Sequence, residues 1–425
     1  MLVNGIIAEY NPFHNGHKYQ LEEARRLTGA DYTIVVMSGN FVQRGAPALT
    51  DKRLRAEMAL RCGADLVLEL PVLYATASSE SFAEGAVALL DRLGTVTHLA
   101  FGSECGDVEA LKQIAAFLAQ EPEIYRLSLK RFLKQGLSYP DARARALSLL
   151  NNPSGISQNA LPVEISLPEN CGEILSLPNN ILGIDYIKSI LKRKSGIIPV
   201  TVKRLGAGYH APLQLSGAYA SALALRQALY EKQELTRLDP YMPREALALL
   251  TSYLAKNRAV FPDDFSEILY YKLLLERDMG YEKYLDVSVD LSNRIRNRLH
   301  DFTGFGAFCD VLKTRELTYA RISRSLLHIL LDIRKEDLFL GREEDYVPYA
   351  RVLGLRRSAA PLLSAIRAGS SVPLITKLSK AKRILPEKAC RLLSLDILSG
   401  ELYSGIALGG THPAPSEFSA PLIIL

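Results

Sequence analysis

Cysteine is scarce in this chain of 425 residues. The five cysteines are odd in number, lie far apart and never form a Cys-x-x-Cys pair; they are Cys62, Cys105, Cys171, Cys309 and Cys390. Disulfide frameworks and structural zinc sites both depend on cysteines in characteristic paired spacings. The sequence therefore indicates neither, and we predict no protein ligands for a metal.

Long apolar runs are absent as well. No stretch approaches the roughly 18 apolar residues that a membrane-spanning helix requires. The first residues lack a basic segment ahead of the apolar ones and carry Glu9 among them, which is unlike a secretion signal. Hydrophobic residues make up 48% of the chain and charged residues 23%, as in typical globular proteins. We expect a cytoplasmic protein with no membrane partner.

A strong overall charge is also lacking, but the charge is unevenly distributed. The net charge is +5, and residues 313–425 hold 17 Lys and Arg against 11 Asp and Glu. This excess of six leaves the first 312 residues at a net charge of −1. Such a basic surplus suits a polyanion such as nucleic acid, although a solvated basic surface has the same composition.

The most informative stretch lies near the N-terminus. A β-branched run at residues 2–8 predicts a strand, which ends before Asn11-Pro12, where proline cannot donate to a β-ladder. An amphipathic pattern at residues 18–27 predicts a helix. The turn between them is His14-Asn15-Gly16-His17, where main chain can approach a ligand and the helix start offers free N–H groups. This position suits a phosphate.

Strand and helix patterns continue to alternate along the chain. Strands are predicted at residues 2–8, 32–37, 64–70, 97–101 and 197–203, and helices at residues 18–27, 51–62, 79–93, 108–120 and 178–194. This alternation predicts an α/β fold with a Rossmann-like parallel sheet. Ligands of such sheets bind beyond the carboxyl ends of the strands. The His14–His17 turn, the polar loop at residues 38–45 and Gly102 are therefore expected to surround one pocket.

The length of the chain favours two or three domains. We divide it into an α/β domain at residues 1–232 and a mainly helical, basic domain at residues 233–425. Residues 121–176 interrupt the alternation with a basic helical stretch at residues 124–150. They form either an insertion that acts as a lid or a plain connecting segment.

A second candidate phosphate-binding region follows the predicted strand at residues 197–203. Residues 203–210 form a glycine-containing turn with the fixed charges of Lys203 and Arg204. A serine-containing helix start then presents Ser221 and, five residues later, Arg226. A guanidinium group can bind two phosphate oxygens at once, so one arginine at a helix start is chemically sufficient.

The strongest candidate for RNA contact is the basic amphipathic segment at residues 313–331. Arginines recur near helical spacing there, and Tyr319 adds an aromatic ring. RNA is bound through such mixtures of phosphate contacts and stacking. A buried helix with a charged outer face would show the same pattern.

Several blocks of sequence, taken in order, resemble the bacterial tRNA(Met) cytidine acetate ligase family of the nucleotidylyltransferase superfamily, which carries a His-x-Gly-His motif. The blocks are residues 8–17, 38–45, 64–71, 178–183 and 203–210, with a weaker one at 318–322. The resemblance implies an enzyme that activates acetate with ATP and Mg²⁺. It also implies transfer of the acetyl group to N4 of the wobble cytidine of elongator tRNA(Met), so RNA and not DNA is the expected polyanion.

The resemblance also implies roles for individual residues. His14, His17 and Lys18 are the expected catalytic residues, since they would meet the charge that develops on the phosphates. The expected ATP contacts are Ile7, Ala8, Glu9, Tyr10, Asn11, Pro12, Phe13, His14, Asn15, Gly16, His17, Lys18, Tyr19, Gln20, Gly102, Asn179, Asn180, Arg204, Ser221 and Arg226. The sequence does not distinguish Asn179 from its neighbour Asn180.

Two further groups of contacts are predicted. Asn40 and Gln43 are expected to orient the acetate carboxylate, with a purely structural role in their loop as the alternative. The residues expected to contact tRNA are Arg315, Tyr319, Arg321 and Arg324. The number of subunits is not predicted.

Two other functions are compatible with the His-x-Gly-His motif. A metabolic adenylyltransferase would act on a small phosphorylated substrate, but it would have no use for a basic helical domain of 193 residues. A noncatalytic RNA-binding protein with a vestigial nucleotide pocket would not turn over ATP. ATP turnover and the identity of the acceptor distinguish the three functions.

Overall fold

The computed structural model describes residues 1–151, 167–205, 219–410 and 416–425. Its strands are β1 Val3–Ala8, β2 Tyr32–Ser38, β3 Phe41–Val42, β4 Ala46–Pro47, β5 Leu66–Leu70, β6 His98–Ser103, β7 Ile198–Lys203, β8 Ala350–Leu355, β9 Leu374–Ile375 and β10 Ile423–Ile424. The main sheet has the order β10-β8-β5-β2-β1-β6-β7, with β9 paired to β8, while β3 and β4 form a separate hairpin.

The strands from β5 through β2, β1 and β6 to β7 are all parallel. This arrangement confirms the predicted α/β fold with a Rossmann-like core. β8 pairs with β5 in the antiparallel direction, so the sheet is mixed at that edge and not parallel throughout.

Helices cover both faces of the sheet. The helices before residue 232 are α1 Asn15–Thr28, α2 Lys52–Arg61, α3 Val72–Ala75, α4 Ser79–Arg92, α5 Val108–Gln120, α6 Glu123–Lys134, α7 Tyr139–Asn151, α8 Cys171–Ile174, α9 Pro178–Arg193 and α10 Ala222–Tyr230. Helices α4, α5 and α9 pack on one face, and α1 and α2 on the other. Within the described ranges, no helix is both long enough and apolar enough to cross a membrane.

The two faces of the sheet have separate cores, and the alternation of side chains along β2 shows how they divide. Ile34 and Val36 belong to the core beneath α4, α5 and α9, whereas Val35 and Met37 belong to the core beneath α1 and α2. Successive side chains of a strand point to opposite faces. A strand covered on both faces is therefore apolar at every position, which is the pattern that made the central strands recognisable in the sequence.

Two helical segments differ from their predicted bounds. Helix α1 begins at Asn15, three residues earlier than predicted, because the His14 side chain accepts a hydrogen bond from the first turn. Histidine is not among the usual N-cap residues, so this helix start could not be recognised from the residue type at position 14. The basic stretch predicted at residues 124–150 is two helices, α6 and α7. Gly136, between them, has φ +76°, a conformation that glycine adopts readily.

The C-terminal part is mainly helical, as predicted. Its helices are α11 Arg244–Leu254, α12 Ser266–Glu276, α13 Val289–Arg298, α14 Phe305–Leu312, α15 Tyr319–Leu330, α16 Lys335–Glu343, α17 Ala360–Gly369, α18 Leu378–Ala381 and α19 Glu387–Ala407. It also contributes β8, β9 and β10 to the main sheet. The predicted domain boundary between residues 232 and 233 therefore does not separate the sheet from the helical part, because strands from both sides of it belong to one sheet. β8 was missed because Arg351 and Gly354 interrupt its short apolar run, so it lacks the continuous apolar pattern of the central strands.

A buried network of charges joins the far edge of the parallel core to the C-terminal part. The Lys52 side chain is 0% exposed, and its Nζ lies 2.7 Å from Glu69 Oε1 and 3.2 Å from Glu417 Oε2. Arg351 contacts the same two carboxylates, with its Nη1 2.9 Å from Glu69 Oε2. The nearby cations hold the pKa of Glu417 far below its usual value, although burial opposes this shift. The network thus connects α2, β5, β8 and the segment after residue 416.

Replacement of Lys52 by methionine should destabilise the protein by about 3–5 kcal/mol, because two buried carboxylates would lose a shared cation. The measurement is the free energy of unfolding in urea at pH 7.5. Lys112→Met is the matched control, since its Nζ lies 2.8 Å from Glu109 Oε1 at an exposed position, and its loss should cost less than about 1 kcal/mol. Equal effects of the two substitutions would contradict the proposed importance of the buried network.

Candidate active site

The strand order places a topological switch point at β1. From β1 the sheet extends through β2 and β5 in one direction and through β6 and β7 in the other. Open α/β sheets bind ligands at such a point, beyond the carboxyl ends of the strands. A cavity of about 530 Å³, open to solvent, lies there. Its lining residues are His14, Gly16, His17, Tyr19, Gln20, Gly102, Val202, Lys203, Arg204, Leu205, Tyr219, Ala220 and Ser221.

The turn after β1 is closed by reciprocal hydrogen bonds between its two histidines and the main chain. His14 Nδ1 accepts from the Gly16 amide at 3.0 Å, and the His14 amide donates to His17 Nδ1 at 3.2 Å. The two imidazole rings are stacked, with centroids 3.7 Å apart. A Cβ atom on Gly16 would lie 2.9 Å from His14 Cε1. Only glycine therefore allows this stacked arrangement without displacement of the His14 ring.

These hydrogen bonds fix the tautomers of both histidines. Each Nδ1 accepts a hydrogen bond from a main-chain amide, so in a neutral ring the single proton is on Nε2. Burial, together with the charges of Arg204 and Arg226, lowers the pKa of His14 to about 3. Burial and His14 likewise hold the pKa of His17 well below its usual value. At neutral pH the site therefore presents two uncharged imidazoles, each with an Nε2–H available as a donor.

Fixed positive charge is supplied at the end of β7. The Arg204 amide donates to Ser103 O at 3.0 Å, and its Nη1 lies 3.5 Å from Asn179 Oδ1. Asn179 is held in turn by Glu104, whose Oε1 accepts from Asn179 Nδ2 at 2.6 Å. The cation, the amide and the carboxylate form a chain of contacts that starts from the cavity wall at Arg204, although Asn179 and Glu104 are not lining residues themselves.

Asn180 has a different environment from its neighbour Asn179. Its side chain is fully buried, and its Oδ1 accepts from the amides of Glu104 and Cys105 at 2.9 and 3.2 Å. Its Nδ2 donates to Ile174 O at 3.1 Å. Asn180 is therefore occupied in fixing the turn after β6 against the start of α9, and its expected direct contact with ATP is not supported.

The segment before α10 contributes one wall of the cavity. Ser221 lines the cavity and caps α10, accepting from the Ala224 amide at 3.2 Å. Arg226 is not part of the lining. Its Nη1 donates to Asn11 O at 2.7 Å, so it braces the turn after β1 and acts on His14 through its charge. Residues 206–218, which include most of the predicted turn at residues 203–210, lie outside the described residues.

Within residues 7–20, the structure brings only some of the expected contacts to the cavity. His14, Gly16, His17, Tyr19 and Gln20 line it. The side chains of Ile7, Tyr10 and Phe13 are buried in the cores. The other expected ATP contacts in this range do not line the cavity; they are Ala8, Glu9, Asn11, Pro12, Asn15 and Lys18.

The expected catalytic role of Lys18 is not supported by its position. A residue next to His17 on a helix points about 100° away from it. The charge of Lys18 instead lowers the pKa of the Cys62 thiol, although burial raises that pKa more strongly, to about 11. The two histidines were predicted correctly as neighbours in one cavity, but Lys18 does not join them there.

The loop at residues 38–45 turns away from the cavity, so the expectation that it would surround the same pocket as Gly102 is wrong. Asn40 is 1% exposed, and its Oδ1 accepts from the Lys52 amide at 2.8 Å. The Gln43 amide donates to Glu9 Oε1 at 2.8 Å, and Gly45 O accepts from Ser323 Oγ at 2.9 Å. These contacts hold the loop against the start of α2, against Glu9 and against α15, and neither Asn40 nor Gln43 lines the cavity.

The predicted RNA contacts also divide into two groups. Arg315 and Arg321 are exposed, and the Tyr319 side chain is 39% exposed. Arg324 differs, since its side chain is only 15% exposed and its Nε lies 3.0 Å from Asp286 Oδ2. An arginine paired in this way stabilises the fold, so Arg324 is removed from the candidate RNA contacts.

Several residues that line the cavity were missed in the sequence. Val202, Tyr219 and Ala220 were not predicted, whereas Lys203 and Leu205 belong to the predicted turn at residues 203–210. The position of Val202 in β7 and those of Tyr219 and Ala220 just before α10 were the available signals. Among the described residues, no group of three or more His, Cys, Asp or Glu side chains could hold a metal ion.

Stability should decrease in acid because His14 is neutral when folded. The unfolded chain takes up this proton near pH 6.5, whereas folded His14 takes it up near pH 3. The stability associated with neutral His14 is present above pH 6.5 and is lost as the pH falls toward 3. His14→Asn keeps a good N-cap. Between pH 7.5 and 5.0, the native protein should lose about 2 kcal/mol more than this variant in urea unfolding. An equal loss in the two proteins would contradict a neutral His14.

Comparison with known proteins agrees with this geometry. The model of the family described as HIGH Nucleotidyl Transferase matches residues 1–412. A tRNA(Met) cytidine acetate ligase of Thermoanaerobacter sp. is 40% identical and one of Clostridium kluyveri is 41% identical; the matches cover 100% of this chain and 100% and 99% of those proteins.

Solved structures give the same result. The crystal structure of Thermotoga maritima TmcAL bound with alpha-thio ATP is similar with a TM-score of 0.90 and 33% identity, and the apo form with 0.91 and 34%. Each similarity covers 100% of both chains. The family resemblance predicted from the sequence blocks is thus confirmed. The chain, with its stacked histidines at the switch point of the sheet, belongs to the tRNA(Met) cytidine acetate ligase family of nucleotidyl transferases.

Proposed function

We propose that this protein activates acetate with ATP and transfers the acetyl group to N4 of the wobble cytidine of elongator tRNA(Met), in the cytoplasm. The observation that carries the proposal is the pair of neutral, stacked histidines beside Arg204 in the cavity at the switch point. Hydrogen-bond donors and a fixed cation at that position suit the phosphates of ATP. The names of the relatives indicate the acceptor.

In the first step an acetate oxygen attacks the α-phosphorus of ATP in line with the leaving group. A new P–O bond forms, the bond to the pyrophosphate oxygen breaks, and acetyl-AMP remains in the cavity. The Nε2–H groups of His14 and His17 donate to phosphate oxygens, and Arg204 neutralises the charge on the departing pyrophosphate. Mg²⁺, bound by the phosphates, would supply further neutralisation. No protein nucleophile is needed.

Uncharged imidazoles have a specific advantage in this step. A histidine that remains neutral keeps the same donor throughout the reaction, with no change in protonation between pH 5 and 8. The Nδ1 atoms are already engaged by main-chain amides, so the donors are oriented before ATP binds. Such preorganisation is the main source of electrostatic catalysis in many enzymes.

In the second step the N4 amine of cytosine attacks the carbonyl carbon of the mixed anhydride. The C–N bond forms, the bond from carbon to the AMP oxygen breaks, and AMP leaves as the amine gives up a proton. The base must be extruded from the anticodon stack to reach the carbonyl. The protein acts here by positioning the reactants and by excluding water, which would otherwise hydrolyse the anhydride.

A metabolic adenylyltransferase remains the second candidate, because the same cavity would serve a phosphorylated small molecule. The exposed cations at Arg315 and Arg321 favour the tRNA reaction, since a small substrate would have no use for them. Exchange of labelled pyrophosphate into ATP distinguishes the two functions. Acetate-dependent exchange supports the ligase, whereas exchange that requires another acceptor supports the metabolic enzyme.

Substitution of His17 by alanine should lower acetate-dependent ATP–pyrophosphate exchange by about 100-fold to 1000-fold, because one donor to the developing charge is lost. Binding of tRNA should change by less than about twofold, since the phosphate site and the RNA surface are separate. His300→Ala is the control, because His300 is exposed and lies outside the cavity, and its exchange rate should match that of the native protein. A full exchange rate in His17→Ala would contradict the proposed role.

Charge reversal at Arg321 and at Arg324 should have different consequences. Arg321→Glu should raise KM for tRNA at least fivefold and leave exchange unchanged, because Arg321 is exposed. Arg324→Glu should instead lower the free energy of unfolding by an amount on the order of 2 kcal/mol, because it places a carboxylate beside Asp286. The measurements are tRNA acetylation kinetics and urea unfolding. If the Arg324→Glu protein is as stable as the native protein and only its KM for tRNA is raised, Arg324 contacts RNA and the structural role is contradicted.

A further inference from the structure

Helix α6 carries a dense stripe of exposed cations that the proposed reaction does not use. Arg126, Lys130, Arg131 and Lys134 are all exposed within its 12 residues. At 100° per residue, the first, second and fourth of these fall within about 80° of arc. None of the four forms an ion pair with any residue in the described part of the chain.

The rest of α6 is anchored, so the stripe has a fixed orientation. Tyr125 is buried against Phe117 of α5, with ring centroids 5.9 Å apart. Helix α7, which packs beside α6, is held to α9 by Arg143, whose Nη2 lies 3.2 Å from Asp185 Oδ1. The cationic face is therefore presented by a rigid helical hairpin and not by a loose segment.

The tip of this hairpin reaches the basic segment of the C-terminal part. A Cβ atom on Gly136 would lie 3.6 Å from Glu316 Oε1. Glu316 belongs to residues 313–321, where Lys313, Arg315 and Arg321 are exposed and unpaired among the described residues. Two basic segments about 180 positions apart in sequence thus meet at one place in the fold.

The hairpin also lies on the half of the sheet that holds the cavity. Helices α5 and α9, on which it packs, cover β6 and β7; Tyr186 of α9 contacts Phe101 of β6 with ring centroids 5.8 Å apart. A second basic cluster, at residues 377–383, follows β9 beyond β8. β8 itself is three strand spacings from β1, or about 14 Å across the sheet.

We propose that the exposed cations of α6 and of residues 313–321 form one continuous surface that binds the phosphate backbone of tRNA while the anticodon enters the cavity. The proposal rests on the proposed function, because that function identifies the polyanion as an RNA. A row of lysine and arginine side chains on a rigid helix contacts phosphates without reading sequence. This surface therefore supplies affinity and orientation, whereas the cavity selects the base.

The test compares two triple variants with equal losses of charge. One is Arg126→Gln, Lys130→Gln and Lys134→Gln in α6, and the control is Lys380→Gln, Lys382→Gln and Arg383→Gln in the second basic cluster. Binding of an elongator tRNA(Met) transcript is measured without ATP or acetate, over a range of salt concentrations. The α6 variant should bind at least tenfold more weakly, and its dependence of log K on log salt should fall by about 2–3. The control should bind like the native protein.

Three results would overturn the proposal. They are native affinity in the α6 variant, equal losses in both variants, and loss of binding to anionic lipid vesicles with tRNA binding unchanged. The vesicle measurement matters because exposed Leu127 and Leu133 beside the cations would also suit a membrane surface.

Acetate-dependent ATP–pyrophosphate exchange, measured without tRNA, separates this proposal from the proposed function. It should be the same in the native protein and in both variants. If exchange is absent from all three while the α6 variant loses tRNA affinity, the ligase reaction fails and the RNA surface stands. If exchange is present and the affinity is unchanged, the surface fails and the activation of acetate stands.

Discussion

The site depends on the hydrogen bonds that join the two histidines to the main chain of their own turn. One ring caps α1 and the other accepts from the amide that precedes it. The same contacts stack the rings, select their tautomers and exclude solvent from one side of each. Because these constraints are local, the motif can be recognised from four residues. Its position at the switch point of the sheet gives it access to a ligand.

A second set of contacts holds the turn after β6, the strand that contributes Gly102 to the cavity lining, in a similar way. Glu104 and Asn180 bond to each other's main chain, with the Asn180 amide donating to Glu104 Oε2 at 2.9 Å. The turn after β6 and the start of α9 are thereby locked together. Glu104 also occupies the N-terminal end of α9, where an anion would otherwise be favoured. His14, His17 and Arg204, by contrast, line the cavity itself.

The sequence predicted the parts of the site whose signals are local. The strand before His14, the glycine between the histidines and the serine that caps α10 each have a pattern of a few residues. The structure differs from the expectations for Asn40 and Arg324 because each side chain is bound by a partner in another element, whereas Lys18 lies beside His17 on α1 and points about 100° away from it. Arg324 meets Asp286, and Asn40 meets the start of α2. β8 was missed because Arg351 and Gly354 interrupt its apolar run.

The link between Lys52 and Glu417 has a consequence for synthesis of the protein on the ribosome. Lys52 is the first residue of α2, whereas Glu417, its second carboxylate partner, lies 365 positions later in the chain. The parallel core can form early from residues 1–203, but this lysine then has only Glu69 as a partner. The edge of the sheet closes when β8 and the segment after residue 416 have been translated. Until translation is nearly finished, the emerging chain therefore leaves the β5 edge of its parallel core, with Lys52 and Glu69, uncovered by β8 and Glu417.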